Sequence, residues 1–331
     1  MIEINGQHSG GQSLRSALGL SVLTGKEFKI INIRKSRSKP GIQEQHLQTI
    51  NVIKELCNAE VKGNKLGSTS LDFKPNKIIE KELNVTINTA GSVALVLQSL
   101  LIAGVENNLK VNIIGGGTWN EHAPPVCFLQ YVLSPLLRKI GYKFDIVILK
   151  DGFYPKGAAL VKLKTQKCKL RNIKLNEFGN LNNIEGISIA SQNLRERKVV
   201  ERQKENAEKI LFDYFKIKPK IGCNYVNTLS TGTGILIYLK GKHSILSSDN
   251  LGKIDKKSEL VGEECATNLI KEYENGVIDR FVGDQILPYL AISKGIIKTT
   301  EVTDHIKSNI YVIEKFLDVK FQINDNEISV K

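Results

Sequence analysis

A chain of 331 residues is longer than one hydrophobic core usually organises, so two domains, or one body with a large insertion, are expected. Its 41% hydrophobic and 24% charged residues exclude an intrinsically disordered chain, and the longest apolar stretch, near residues 92–104, is broken by Gln98 and Ser99, which argues against a membrane span. The excess of 47 Lys and Arg over 34 Asp and Glu, a net charge of +13, favours a polyanionic partner but fits a lysine-rich solvated surface equally well.

In chain order, hydrophobic periodicity predicts one unit three times: strand, helix, strand, helix, then two strands closing a four-stranded sheet, a βαβαββ order in a mixed α/β fold. The first copy reads as a strand at 2–4, a helix at 11–23 stopped by Gly25, a strand at 28–33, a helix at 42–57, and strands at 59–63 and 69–74. The second has a strand at 85–87, a helix at 91–103, a strand at 110–114, a helix at about 124–140, and strands at 143–149 and 158–164. The third is split. Its strand is expected at 187–189, its helices at 283–294 and 306–316, and its remaining strands at 297–302, 317–323 and 327–330. Between them, residues 183–276 carry a charged helix at 194–215, a strand at 232–239 and a helix at 262–274, and read as a smaller inserted α/β domain within a main body of 1–182 and 277–331.

Cys57, Cys127, Cys168, Cys223 and Cys265 are scattered and form no C-x-x-C pair, so neither a disulfide framework nor a zinc ribbon is expected, and a reducing cytoplasm suits the chain. The opening MIEINGQHSGGQ lacks the charged and apolar regions of a signal peptide.

No phosphate-loop G-x-x-x-x-G-K-[ST] is present, nor G-x-S-x-G, nor H-E-x-x-H, which removes the standard nucleotide-hydrolysing, serine-hydrolase and zinc-protease readings. Gly10 and Gly11 precede a helix, where unsatisfied amides attract an anion, although such pairs are more often simple turns. Arg34, Lys35, Arg37 and Lys39 fall within six positions between a strand and a helix, where guanidinium groups fork around phosphates, and Arg15 on the first helix adds a partner. His46, His122 and His305 stand at or just before the second helix of successive units. A helix start disfavours the imidazolium and keeps the ring neutral, as a nucleophile requires; the bland alternative is that each merely caps its helix.

Seven stretches then resemble, in order and spacing over essentially the whole chain, the RNA 3′-terminal phosphate cyclase family: GGQSLRSAL…LTGK from Gly10, NIRKSRSKPGIQEQHL from Asn32, NTAGSVALVLQSLL from Asn88, GGGTWNEHAPP from Gly115, GFYPKG from Gly152, GDQILPYLA from Gly283 and TDHIKSNIYVIEKFL from Thr303. The resemblance implies a fold like that of the enolpyruvyl transferases, with an inserted domain. It also implies ATP-dependent conversion of an RNA 3′-phosphate to a 2′,3′-cyclic phosphate, with ATP and Mg²⁺ or Mn²⁺ as cofactors and an RNA 3′-phosphate end as partner. His305 falls on the family's AMP-accepting nucleophile. Gln12, Pro124, Asp284 and Gln285 fall on nucleotide-binding positions, and Arg15, Arg34, Arg37, Gln45 and His46 on positions for phosphates or RNA. Two departures stand out. The first motif, Asn5 to Gln12, is two residues shorter than the family's and lacks a glutamate implicated in metal binding, and Ala158-Ala159 replace glycines after GFYPKG. The alternative reading is a catalytically weak or inactive relative acting as an RNA-binding or ribosome-assembly scaffold; retention of His305 opposes it.

Overall fold

The computed structural model describes residues 1–7, 10–78 and 82–331. His8 and Ser9, in the shortened first motif, lie outside the described residues.

The first unit comprises β1 (Ile2–Asn5), α1 (Gln12–Thr24), β2 (Phe28–Ile31), α2 (Glu44–Cys57), β3 (Glu60–Lys62) and β4 (Leu71–Lys74), in sheet order β1-β2-β4-β3. The second comprises β5 (Glu82–Ser92), α3 (Val93–Ala103), β6 (Lys110–Gly117), α4 (Val126–Phe128), a π turn at Leu129–Leu133, α5 (Ser134–Lys139), β7 (Phe144–Lys150) and β8 (Leu160–Thr165), in order β5-β6-β8-β7. The third opens with β9 (Ile173–Leu175). An intervening sheet follows: β10 (Leu181–Ser191), α6 (Val199–Phe215), β11 (Lys220–Val226), β12 (Thr233–Gly241), β13 (Ile245–Leu251) and α7 (Ser258–Asn275). The third unit resumes with α8 (Arg280–Gln285), α9 (Leu287–Ser293), β14 (Gly295–Lys298), α10 (Asp304–Phe316), β15 (Phe321–Asn324) and β16 (Glu327–Val330), in order β9-β14-β16-β15. In each unit the first two strands are parallel and joined through a helix, and the last two pair antiparallel.

One expected strand is misplaced in the sequence reading. Residues 187–189 lie inside β10, paired with Gly222–Asn224 and Gly234–Leu236 of the inserted sheet. The third unit instead starts with β9, where Ile173 and Leu175 are buried around exposed Lys174 and pair in parallel with β14. Three residues in a basic stretch are too short for periodicity to reveal. The inserted sheet, ordered β11-β10-β12-β13, places its first strand inside rather than at the edge, so it is not a fourth copy of the repeat. Other elements differ in extent: the helix expected at 262–274 begins at Ser258, the one at 124–140 is broken by the π turn, and the strand expected at 297–302 runs from Gly295 only to Lys298. The expected helix at 283–294 starts earlier, at Arg280, and is interrupted at Ile286 ahead of Pro288; the one at 194–215 begins as a 3-10 turn at Gln192–Leu194 before α6.

The centre of the body is helical. All residues of α3 except Gln98 are buried, as expected of a helix apolar on every side, and α1 packs parallel to it, Arg15 beside Gln98 and Gly19 beside Ile102. A methyl group on Gly19 would lie 2.8 Å from Ile102 Cβ and 2.9 Å from the Ser99 carbonyl oxygen, so this glycine sets how closely the helices approach. Each fully buried Leu or Ile in this layer contributes roughly 2 kcal/mol. Because α1 and α3 run parallel, their amino ends open on one side of the body, and the third unit's α8 brings Asp284 to Arg15 at that end.

Candidate active site

The site is built on the start of α1. Gly11 is its N-cap, at φ −70° and ψ −9°, and no side chain caps the first turn, so the helix presents unsatisfied amides. Glycine is required here by space rather than by backbone freedom: a methyl group on Gly11 would stand 2.0 Å from His46 Nε2 and 3.0 Å from Arg15 Nη1.

His46 arrives from the first turn of α2, where its Nδ1 accepts a hydrogen bond from the Gln43 amide at 3.0 Å. That bond assigns the proton of the neutral ring to Nε2, and Nε2 is buried without a hydrogen-bond partner. Burial, then the charges of Arg15 and Arg34, push the imidazole down to about 3, so it is neutral at physiological pH and holds an unused donor toward Gly11. Arg15 is itself buried, with Nη2 donating to Gln12 Oε1 at 2.5 Å and Nε to Gln98 Oε1 at 3.3 Å. Burial lowers its pKa, and the Asp284 carboxylate opposes that shift.

Beside Arg15 lies a narrow cavity lined in part by Gln12, Arg15, Gln98, Asp284, Gln285 and Tyr289, with room for about one water molecule. Gln285 Oε1 is buried and unpartnered there. Asp284 is braced by Asn309 of α10, whose Nδ2 donates to Oδ1 at 2.5 Å, while Ser16 Oγ donates to Asn309 Oδ1 at 2.5 Å. Burial raises the Asp284 pKa; Arg15 and the Asn309 bond pull it back. The orphaned His46 donor stands at Gly11, the uncapped start of α1, and the orphaned Gln285 acceptor belongs to the cavity lined by Gln12 and Arg15 of the same helix, the pattern of a site whose partner is a ligand.

His305 occupies the first turn of α10, which Thr303 caps by accepting from the Ile306 amide at 3.2 Å. Its imidazole is exposed and lies against Gly10, as does Arg37 from the basic loop: a methyl group on Gly10 would be 3.8 Å from His305 Cε1 and 3.5 Å from Arg37 Nη2. Partial burial, then Arg15 and Arg37, hold the His305 pKa below its ordinary value, against Asp304. For both His46 and His305, desolvation is the first cause of the lowered pKa and neighbouring arginines follow. Arg34, at φ +54°, spends Nη1 on the carbonyls of Lys39 at 2.7 Å and Gly41 at 3.3 Å, so it shapes the loop that delivers Arg37.

The structure thus brings together Gln12, Arg15, Asp284 and Gln285 around the cavity, with His46 against Gly11 at the α1 start and Arg37 and His305 beside the preceding Gly10. Gln45 is exposed on α2, Pro124 is buried just before α4, and neither lines the cavity. His122, exposed at φ +62°, lines it no more than they do. Sequence reasoning missed Ser16, Gln98 and Asn309. The signal for Asn309 is its spacing, four residues after His305 and so one turn along the same helix face.

No group of three or more His, Cys, Asp or Glu side chains that could hold a metal ion occurs among the described residues. Asp284 is the carboxylate of the cavity, one oxygen of which is taken by Asn309, and the surrounding charges are arginines. This donor set does not fit a metal held by the protein alone, but it does fit an anion.

The chain matches the family model described as RNA 3′-terminal phosphate cyclase over residues 7–323. It is 39% identical over 329 residues to the RNA 3′-terminal phosphate cyclase of Thermococcus gammatolerans, covering 97% of this chain and 94% of the relative. It is 38% identical over 330 residues to the Sulfolobus acidocaldarius protein of the same name, covering 98% and 97%. With the Methanopyrus kandleri protein of that name it shares 35% identity over 340 residues, covering 99% and 96%.

Proposed function

The chain belongs to the RNA 3′-terminal phosphate cyclase family, and from that premise we propose how its own residues divide the work of ATP-dependent RNA end cyclisation. The general reaction passes through a covalent histidine–AMP. We assign the nucleophile to His305. A neutral imidazole nitrogen attacks the α-phosphorus of ATP; the P–N bond forms as the bond to pyrophosphate breaks. An oxygen of the RNA 3′-phosphate then attacks the same phosphorus and expels the imidazole, which leaves an RNA adenylate. Finally the 2′-hydroxyl, losing its proton, attacks the terminal phosphorus, releases AMP and closes the 2′,3′-cyclic phosphate.

The observation that carries this reading is the meeting of His305 and Arg37 at Gly10, next to Gly11, where Arg15 and the unused His46 Nε2–H stand at the start of α1. Charge that develops on phosphoryl oxygens is met there by fixed donors that need no reorganisation. Arg15 and Arg37 serve the phosphates directly, Arg34 serves by holding the loop, and His46 donates Nε2–H. Gln12, Asp284 and Gln285 border the nucleotide, and Gln45 lies toward the RNA end; Pro124, which does not line the cavity, is given no contact to the nucleotide. The family's chemistry uses ATP and a divalent metal, for which we take Mg²⁺ or Mn²⁺. In this chain the metal is expected to enter on the triphosphate. Residues 1–182 and 277–331 form the catalytic body and 183–276 the insert. The five unpaired thiols suit the cytoplasm, and no described helix is long and apolar enough to cross a membrane.

The test uses α-labelled ATP with Mg²⁺ or Mn²⁺, denaturation, and detection of acid-labile label on the chain. Wild type is labelled and transfers the label to RNA bearing a 3′-phosphate; His305→Ala is not labelled. A wild-type chain that stays unlabelled with every metal while still binding RNA would overturn the reading.

A further inference from the structure

The inserted sheet grips the short helix that carries Asp284 and Gln285, and it does so at two consecutive residues. Asp279, fully buried, is the N-cap of α8: Oδ1 accepts from the amides of Phe281 at 3.0 Å and Val282 at 2.9 Å. Its other oxygen accepts from Ser247 of β13, from the amide at 2.9 Å and from the hydroxyl at 2.8 Å. One carboxylate therefore satisfies four donors, two in α8 and two in the insert. At the next residue, Arg280 Nε lies 3.3 Å from Glu272 Oε1 on α7 of the insert, and the other Glu272 oxygen accepts from Thr300 Oγ1.

An ordinary cap needs neither burial nor a second domain. A helix of six residues cannot hold its own start against fraying, so its start is fixed by what its cap is tied to, while Asn309 of α10 braces its far end at Asp284. Asp284 lies five residues beyond Asp279, little more than a turn, and a shift at the cap moves it relative to Arg15. Burial raises the Asp279 carboxyl, and Asp249 stands close enough on β13 for Asp279 to raise its carboxyl in turn. Desolvated charge of this kind is costly, and it is retained where it fixes an arrangement.

We propose that Asp279 is a positioning residue through which the insert, by way of Ser247, holds α8 and so keeps Asp284 and Gln285 in register with the ATP site. This rests on the nucleotide site proposed above. It gives the insert a role in the reaction without any contact to substrate.

The experiment compares Asp279→Asn, Ser247→Ala and the double variant of the full chain, by single-turnover self-adenylation over a range of ATP concentrations and by amide hydrogen exchange without ATP. Asp279→Asn turns a donor toward donors and should raise the ATP concentration for half-maximal adenylation about tenfold while the maximal rate stays within about threefold; Ser247→Ala, which keeps the amide bond, should raise it about threefold. The double variant should be within about twofold of Asp279→Asn, since both changes break one contact. Amides of residues 281–285 should exchange faster in Ser247→Ala, with those of α10 unchanged. A lowered melting temperature with unaltered ATP dependence and unaltered exchange in α8 would leave Asp279 a structural cap only and overturn the proposal. If Asp279→Asn does not fold, Ser247→Ala decides. A wild type that forms no adenylate defeats the proposed function, whereas the exchange comparison still tests the latch.

Discussion

Arg37 and His305 meet at Gly10, the arginine from the loop after β2 and the histidine from the start of α10, elements of the first and third units. The arginine is one of the causes that hold the imidazole below its ordinary value, after burial and Arg15.

An imidazole must be unprotonated to attack phosphorus, so the acid limb of self-adenylation should lie below the ordinary histidine range near 6.5. Arg37→Ala removes one of the charges that depress the pKa and leaves burial and Arg15, so the limb should move to higher pH. Arg37→Lys keeps the charge and should leave it in place. Single-turnover rates between pH 5 and 8 read both. Identical midpoints in wild type and Arg37→Ala would show that the limb belongs to another group.

Gly11→Ala tests the close packing at the start of α1. The backbone, at φ −70°, accepts alanine, but the added carbon would stand 2.0 Å from His46 Nε2 and 2.5 Å from Cδ2, so the ring has to leave its place. Overpacking of this kind costs about 1–3 kcal/mol of stability. Adenylation should fall by about 100-fold, well beyond what partial unfolding explains, because both the His46 donor and Arg15 are displaced. Urea unfolding and adenylation of the same preparation separate the two effects.

Much of this site was legible because chemistry-bearing residues sit in short motifs: Arg15, Arg37 and His305 could be named from the residues beside them. What was not legible depends on packing between units. Asn309 acts only because α10 lies against both α1 and α8, where it links Ser16 to Asp284. Gln98 and Ser99 are plain in the sequence as interruptions of an apolar helix, and their purpose, to meet Arg15 through its guanidinium and its carbonyl oxygen, appears only when α1 is alongside. β9 escaped for a different reason. A strand of three residues has no period, and its partner β14 comes 120 residues later, beyond the insert.

Ala158 follows Gly157 in the left-handed region, at φ +69° after +65°. An L-residue with a Cβ pays about 1 kcal/mol or more for that conformation and glycine does not. Ala158→Gly should therefore raise stability by about 0.5 kcal/mol after allowing for the freer unfolded chain, and Ala158→Val should lower it by more. The midpoint of urea unfolding measures this. An unchanged or lower midpoint for the glycine variant would mean that the loop relaxes at no cost. The loop also touches the insert, since the Lys156 amide donates to Ser230 Oγ at 2.9 Å, so hydrogen exchange at Lys156 should slow in the glycine variant.

His46 makes a prediction about acid. Its pKa falls from 6.5 in the unfolded chain to about 3 in the fold, so below pH 6.5 the unfolded chain takes up a proton that the folded one refuses. The stability that the neutral ring confers is therefore complete above pH 6.5 and is lost as pH falls toward 3, by about 1.4 kcal/mol per pH unit. The buried carboxyls work the other way. Asp249 at about 7 and Asp279 at about 6 are raised, so each gains stability as pH falls through that window, and the net acid profile of wild type mixes opposing slopes. Comparison with His46→Gln isolates the histidine, because the carboxyls are common to both chains. At pH 7.5 the variant should be the less stable, having lost the bond from the Gln43 amide to Nδ1. By pH 5 the difference should have narrowed by about 2 kcal/mol, since only wild type pays for keeping its imidazole unprotonated. A difference that stays constant from pH 7.5 to 5 would mean that the folded ring titrates normally, and Nε2–H would then not be the neutral donor assigned to the phosphate.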